Sequence, residues 1–203
     1  MVFNSSRNWD FTPQVSLGNQ CLEVVDEIKL LGIIITSDLK WHKNTKYLCD
    51  KAYGRLWMLR NLRRLGASKS ELVEVFTKQC RSLLELAVPV WPTGLTSEDI
   101  VALERIQKTA CAIILGRDYN GYEKALEQLG IETLEARRVE LCTKFARKAA
   151  KNENYQHWFV ESGITTHKIK TRSTKNPTKY KQIKFRTDRF RDSALPYLTS
   201  LLN

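Results

Sequence analysis

Residues 41–66 read WHKNTKYLCDKAYGRLWMLRNLRRLG, and their apolar side chains recur at the three- and four-residue spacing of an amphipathic helix. The apolar positions form a single stripe, made of Leu48, Ala52, Leu56, Leu59 and Leu62. A glycine, Gly66, ends the pattern. The other positions carry seven cations, which are Lys43, Lys46, Lys51, Arg55, Arg60, Arg63 and Arg64. The stretch therefore predicts a helix with one packed side and a basic side opposite it.

Downstream of this helix the periodicity predicts four more. The second opens with a capping box at residues 68–71 and ends before Pro89. The third is capped at residues 97–99 and stops at Gly116, and the fourth spans about residues 122–129. A fifth helix begins after Thr133, and its predicted apolar stripe consists of Leu134, Leu141, Phe145 and Ala149.

Upstream of the basic helix the pattern is that of β structure. Residues 15–17 and 21–25 flank Gly18-Asn19-Gln20, which predicts a tight hairpin. The β-branched run 28–35 predicts one buried strand, in which Gly32 marks a bulge or a close backbone approach. The predicted fold class is α+β and mainly α. It comprises a β segment at 1–39, a helical domain at 40–152 and a basic, partly irregular segment at 153–203.

The charge is unevenly distributed along the chain. Thirty-three Lys and Arg face 22 Asp and Glu, a net charge of +11 at pH 7. Residues 1–39 carry a net −3, residues 40–81 +8, residues 82–136 −5 and residues 137–203 +11. Two basic blocks thus flank an acidic middle, which favours nucleic acid as a partner over an anionic membrane surface. In the tail from Lys168 to Arg191, the aromatic residues Tyr180, Phe185 and Phe190 either stack on bases or anchor the tail.

Several classes of protein are disfavoured. No apolar run approaches the roughly 18 residues of a spanning helix, and residues 1–10 do not resemble a signal peptide. Five widely spread cysteines without a CxxC pair indicate reduced thiols in a cytoplasmic or nuclear protein. The chain has no phosphate-binding glycine motif and no catalytic Ser or Cys next to a His. Its two adjacent acidic pairs, at 26–27 and 98–99, are interpreted as a turn and a helix start. We therefore expect no enzyme activity of its own.

Six strings, in order, are similar to the C-terminal region of reverse transcriptases of non-LTR (LINE-type, jockey-like) retrotransposons. They are KLLGIIITSDLKWH, YLCDKAYGRLWMLRNLRRLG, LELAVPVW, LERIQKTACAIILG, YEKALEQLGIETLEARRVELCTKFA and RFRDSALPYLTSLLN. Together they extend over nearly the whole chain.

The resemblance implies a role for each region. Residues 1–3 resemble the end of a palm strand, and residues 29–32 a primer-grip hairpin whose turn lies against the growing strand. Residues 41–66 would be the first thumb helix, 68–87 its partner, and 103–108 part of a later thumb helix. The basic pattern and the resemblance together predict the nucleic-acid-binding residues Lys29, Gly32, Lys43, Lys46, Lys51, Arg55, Arg60, Arg63, Arg64, Arg137, Arg138 and Lys144.

The chain also departs from the family. No Asp-Asp pair occurs in it, so the aspartates that bind the magnesium ions of such polymerases are not among its residues, and no cofactor is expected here. The expected function is sequence-independent contact with an RNA or DNA template–primer, as part of an RNA-directed DNA polymerase whose remainder is a partner. The alternative is an inert or domesticated retroelement remnant that acts as a non-enzymatic interaction or structural protein.

Overall fold

A computed structural model describes residues 14–161, 179–191 and 193–203. These residues form two short antiparallel strand pairs followed by a helical region, so the predicted α+β, mainly α, class is confirmed. The predicted strand at residues 1–3 lies outside the described residues. No helix among those described is long and apolar enough to cross a membrane.

The first strand pair is the predicted hairpin. Strand β1 (Val15–Leu17) pairs with β2 (Gln20–Leu22), with Ser16 opposite Cys21. Gly18 supplies the positive φ of +60° that the turn requires. All six strand residues are exposed.

The prediction of one buried strand over residues 28–35 is wrong. The chain forms a second hairpin, in which β3 (Glu27–Leu30) pairs with β4 (Ile33–Thr36). Leu31 and Gly32 have φ angles of +48° and +87°, and two consecutive positive φ angles reverse the chain as in a two-residue hairpin turn. Gly32 is therefore a turn residue. This hairpin lies at the residues that the resemblance assigns to a primer grip.

Helix α1 (His42–Arg64) is the predicted basic helix, and its stripe is buried from Leu48 to Leu59. Helix α2 (Lys69–Val75) begins with the predicted capping box, in which Ser68 and Glu71 each bind the other's backbone N–H. The chain continues through a π-helical segment (Phe76–Arg81) into α3 (Ser82–Leu84). All three segments pack on α1.

Helix α4 (Ser97–Leu115) lies beside α1 and runs in the same direction. Near their first turns His42 Nδ1 lies 2.8 Å from Asp99 Oδ1. The cap of α4 is Thr96, which forms a capping box with Asp99. The predicted cap began at Ser97, so the observed cap lies one residue earlier. Helix α5 (Tyr122–Leu129) has the predicted bounds. It is held on α4 by the Tyr122 hydroxyl, which accepts a hydrogen bond of 3.0 Å from Gln107.

Helix α6 (Leu134–Lys151) begins after the predicted cap, Thr133. Its predicted apolar stripe is partly wrong, because Phe145 is 40% exposed. The buried face instead consists of Leu134, Arg138, Cys142, Ala146 and Ala149. This face contacts the 3-10 turn Val88–Val90 and helix α8 (Ala194–Leu201), which follows the short α7 (Asp188–Arg191). The apolar end of the chain thus docks on α6.

The chain divides into two compact units. One comprises the described residues up to Leu86 together with Gly94–Ile131, and the other comprises Ala87–Thr93 together with the described residues from Glu132 to Asn203. Both the N-terminal hairpins and helices α1 to α5 belong to the first unit. The predicted boundaries at 39/40 and 152/153 do not coincide with this division, since hairpin β3–β4 packs on α1 and α6 packs on α8.

Candidate nucleic-acid interface

The hairpin β3–β4 is fastened to helix α1 by a buried amide. Asn44 is completely buried, and its Oδ1 accepts a hydrogen bond of 3.1 Å from the backbone N–H of Ile34. At the hairpin turn, a Cβ on Gly32 would lie 3.2 Å from Leu86 Cδ2 and would require a positive φ. The turn is therefore closely packed on one side, and only glycine fits this position without strain.

Two of the predicted residues meet on one aromatic ring. The Nζ of Lys29, on β3, lies 4.8 Å from the centre of the Tyr47 ring. Lys51 lies one turn after Tyr47 on α1, and its Nζ is 4.6 Å from the centre of the same ring. The positive charges of these ammonium groups, Lys29 first, lower the pKa of the Tyr47 hydroxyl. Two positive charges are thus held side by side where the hairpin meets the helix. We call Lys29, Tyr47 and Lys51 the hairpin cluster.

Lys43 and Arg55 bind groups of the protein itself. Lys43 Nζ lies 2.5 Å from Glu27 Oε2, and this exposed ion pair raises the pKa of the lysine. Arg55 Nη1 donates to the backbone oxygen of Gln79 at 2.8 Å and to its side-chain oxygen at 2.9 Å. Gln79 lies in the π-helical segment, where carbonyl groups depart from the regular α-helical bonding pattern. Both side chains therefore have a structural role that competes with phosphate binding.

At the C-terminal end of α1, three arginines line a cleft with a volume of about 550 Å³. Arg60, Arg63 and Arg64 form one wall, and the opposite wall consists of Thr109, Ala112 and Ile113 on α4. The Arg63 guanidinium lies directly over Gly116, where an added Cβ would be only 1.6 Å from Nη2. Arg63 and Arg64 also occupy the last turn, where a positive charge stabilises a helix by about 0.3–1 kcal/mol.

The three predicted residues on α6 do not form an open basic surface. Arg138 is only 6% exposed, because it lies four residues after Leu134 and four before Cys142 on the buried face. It is therefore removed from the candidate interface. Arg137 and Lys144 both pair with Glu140, Lys144 at 2.5 Å, and the two cations lower the pKa of that carboxylate, Lys144 most strongly.

The cations of α1 do not lie on one side opposite the apolar stripe, which corrects the sequence prediction. The angles that follow are measured around the axis of α1, at 3.6 residues per turn, from the centre of its buried positions Leu48 to Leu59. Lys46, Arg60 and Arg64 lie about 80–120° from this centre in one direction. Lys51 and Arg55 lie about 60–100° from it in the other direction. Among the described residues, Lys46, Arg60 and Arg64 form no ion pair. We call these three the free flank.

Two aromatic residues on the free flank were missed by the sequence analysis. Tyr53 is 43% exposed and Trp57 is 65% exposed. The signal was present in the sequence, because both residues lie off the apolar stripe. Tyr53 follows Lys46 by seven residues and Trp57 follows Tyr53 by four, which places all three on one side of a helix.

One of the three tail aromatics has the anchoring role that was one of the two predicted alternatives. Tyr180 is buried, its ring centre lies 6.1 Å from that of Phe159, and its backbone forms hydrogen bonds of 2.8 and 3.1 Å with the side chain of Asn203. It therefore anchors the tail. Phe185 and Phe190 are exposed, and much of the tail lies outside the described residues.

The described residues contain no group of three His, Cys, Asp or Glu side chains that could hold a metal ion. Of the two acidic pairs, Glu98-Asp99 has the predicted structural role, since Asp99 is 1% exposed and binds Thr96 and His42. In the other pair, Glu27 is bound to Lys43. The features that characterise this surface are its positive charge and its exposed aromatic rings.

The comparisons with known proteins give no relative. No protein-family model, no curated protein sequence and no solved structure matches the chain. The similarity to retrotransposon reverse transcriptases stays a prediction from the six quoted strings.

Proposed function

We propose that this chain holds a template–primer through its sugar–phosphate backbone and performs no chemistry itself. In this proposal it is the thumb-bearing C-terminal part of an RNA-directed DNA polymerase of a non-LTR retrotransposon. The observation that carries the proposal is the free flank of Lys46, Arg60 and Arg64, exposed on a long helix and without ion pairs among the described residues.

The dimensions of the free flank suit a nucleic-acid backbone. Eighteen residues separate Lys46 from Arg64, a distance of about 27 Å along the helix. One strand of a duplex places a phosphate every ~3.4 Å along the duplex axis, so about eight of them span this length. The hairpin cluster adds two more exposed ammonium groups on the same unit. Contacts of this kind provide affinity without base specificity.

The N-terminal hairpins support a second part of the proposal, the contact with the remainder of a polymerase. Their side chains are unusually apolar for an exposed surface, with Leu17 75% and Leu31 89% exposed. Large exposed apolar surfaces, and strand edges without partners, mark sites of contact with other polypeptide segments. We infer that these hairpins pack against the palm sheet of the parent polymerase.

Binding to a labelled primer–template duplex, measured by fluorescence anisotropy over a salt series, tests the proposal. If the free flank and the hairpin cluster contact five phosphates, the slope of log K against log salt is about −4.5, and affinity falls roughly 500-fold between about 50 and 200 mM salt. A folded protein without affinity at low salt would favour the alternative of an inert remnant. Extension of the primer when magnesium and nucleotides are added would contradict the absence of catalysis.

A further inference from the structure

A stripe of two aromatic residues, with cations before and after them, runs along the free flank of α1. It consists of Lys46, Tyr53, Trp57, Arg60 and Arg64. The successive spacings of seven, four, three and four residues keep all five side chains on one side of the helix. We call these residues the basic–aromatic stripe.

The two rings of the stripe do not serve the core of the first unit. The side chains that fill the core next to α1 are Leu48, Ala52, Leu56 and Leu59, each at most 1% exposed. Tyr53 and Trp57 lie about 100–140° away from the centre of that buried face. Their Cβ atoms are about 5–6 Å apart, as for any pair four residues apart on a helix. The two aromatic side chains therefore start from neighbouring positions of one long helix and are exposed.

The chemistry of the stripe favours nucleic acid with unpaired bases. Stacking on Trp and Tyr needs the face of a base, and bases expose their faces only where they are not stacked in a duplex. The cations before and after the rings suit the phosphates on either side of the stacked nucleotides. One acidic residue, Asp50, lies within the stripe, four residues after Lys46 and three before Tyr53, and its charge weakens the attraction locally.

The geometry points to the basic–aromatic stripe as a binding site for single-stranded nucleic acid, in which Trp57 and Tyr53 stack on bases. This inference rests on the proposed function and deepens it, because it assigns the stripe to an unpaired segment of the bound nucleic acid. The duplex then depends on charge alone, whereas the single strand depends on charge and on the rings.

The experiment compares three probes on the full chain. They are oligothymidine of about eight nucleotides, an abasic phosphodeoxyribose strand with the same number of phosphates, and a duplex. Each stacked base contributes roughly 5- to 150-fold, so the unmodified protein should bind oligothymidine at least about 5-fold more tightly than the abasic strand. Trp57→Ala should reduce this difference by the contribution of one stacked base and leave duplex binding unchanged. Trp57→Phe, which keeps an aromatic face, should lose less.

Two controls keep the test decisive. Alanine is the best helix former, so Trp57→Ala and Tyr53→Ala should fold, which circular dichroism verifies. Tyr155→Ala removes an aromatic residue of similar exposure, 44%, from the second unit and should change no affinity. Quenching of tryptophan fluorescence by oligothymidine should be present in the unmodified protein and absent in Trp57→Phe.

The outcomes separate this inference from the proposed function. Equal affinity for oligothymidine and the abasic strand would overturn the stripe as a stacking site, while salt-dependent duplex binding would preserve the proposed function. An equal loss for duplex and single strand in Trp57→Ala would also overturn it. Absence of binding to all three probes would overturn both. Binding of polyglutamate in preference to oligothymidine would assign the stripe to an acidic polypeptide and refute the inference.

Discussion

Neutralising the free flank should reduce the salt dependence of nucleic-acid binding by a predictable amount. In the triple variant Lys46→Gln, Arg60→Gln and Arg64→Gln, three exposed cations without ion pairs among the described residues lose their charge. Each phosphate contact contributes about −0.9 to the slope of log K against log salt for duplex DNA. We therefore expect the slope to become less steep by about 2.7. Glutamine is a good helix former, so the helix should persist.

The assay is fluorescence anisotropy with one duplex over a salt series, at constant pH and temperature. A matched control is the variant Lys124→Gln, Lys148→Gln and Lys151→Gln. It removes the same number of charges from exposed positions on α5 and α6. Because its net charge equals that of the first variant, it isolates the effect of location. We expect the slope of log K against log salt for this control to change by less than about 0.9, the contribution of one phosphate contact.

The reasoning would be refuted if the two triple variants flattened the slope equally. That result would mean that binding depends on the net charge of +11 and not on an ordered row of cations. A free-flank variant that kept the full slope would place the phosphate contacts elsewhere, for example on residues of the tail outside the described structure.

Three further predictions concern stability and reactivity. Trp91 is fully buried, so Trp91→Ala should lower the free energy of unfolding by about 3–5 kcal/mol in urea denaturation, whereas Trp57→Ala should change it by less than about 0.5 kcal/mol. Thr96→Ala removes the cap that binds Asp99 and should cost about 1 kcal/mol by the same measurement, while Thr96→Ser should retain most of it. Burial raises the pKa of four cysteine thiols to about 11, whereas Cys21 is exposed. A disulfide reagent at pH 8 should therefore label Cys21 quickly in the native protein and all five cysteines only after denaturation. Rapid labelling of a second thiol would contradict the burial of the other four cysteines in the core.

The helices were predictable because their signals are local. The capping box at Ser68, the cap at Thr133 and the stop at Gly130 each depend on a few neighbouring residues, and the structure has them where the sequence places them. The cap of α4 moved by one residue, since Thr96 and Ser97 are both suitable caps. Only the pairing of Thr96 with the buried Asp99 distinguishes them.

The second hairpin could not be predicted from the same signals. The run 28–35 reads as one continuous apolar strand, and a reversal at Leu31 requires a positive φ that leucine rarely adopts. The turn is stabilised by contacts distant in sequence, which are the bond from Ile34 to the buried Asn44 and the packing of Gly32 near Leu86. A local pattern contains neither contact.

The sequence by itself determined the fold class, the order of the helices and the excess of positive charge, because composition and periodicity are properties of neighbouring residues. Only the tertiary structure decided which cations are available to a partner. Arg138 became buried, Arg55 bound the π-helical segment, and Lys46, Arg60 and Arg64 stayed exposed. The physical reason is that the accessibility of a charge depends on which elements pack around it, and that packing joins residues far apart in the chain.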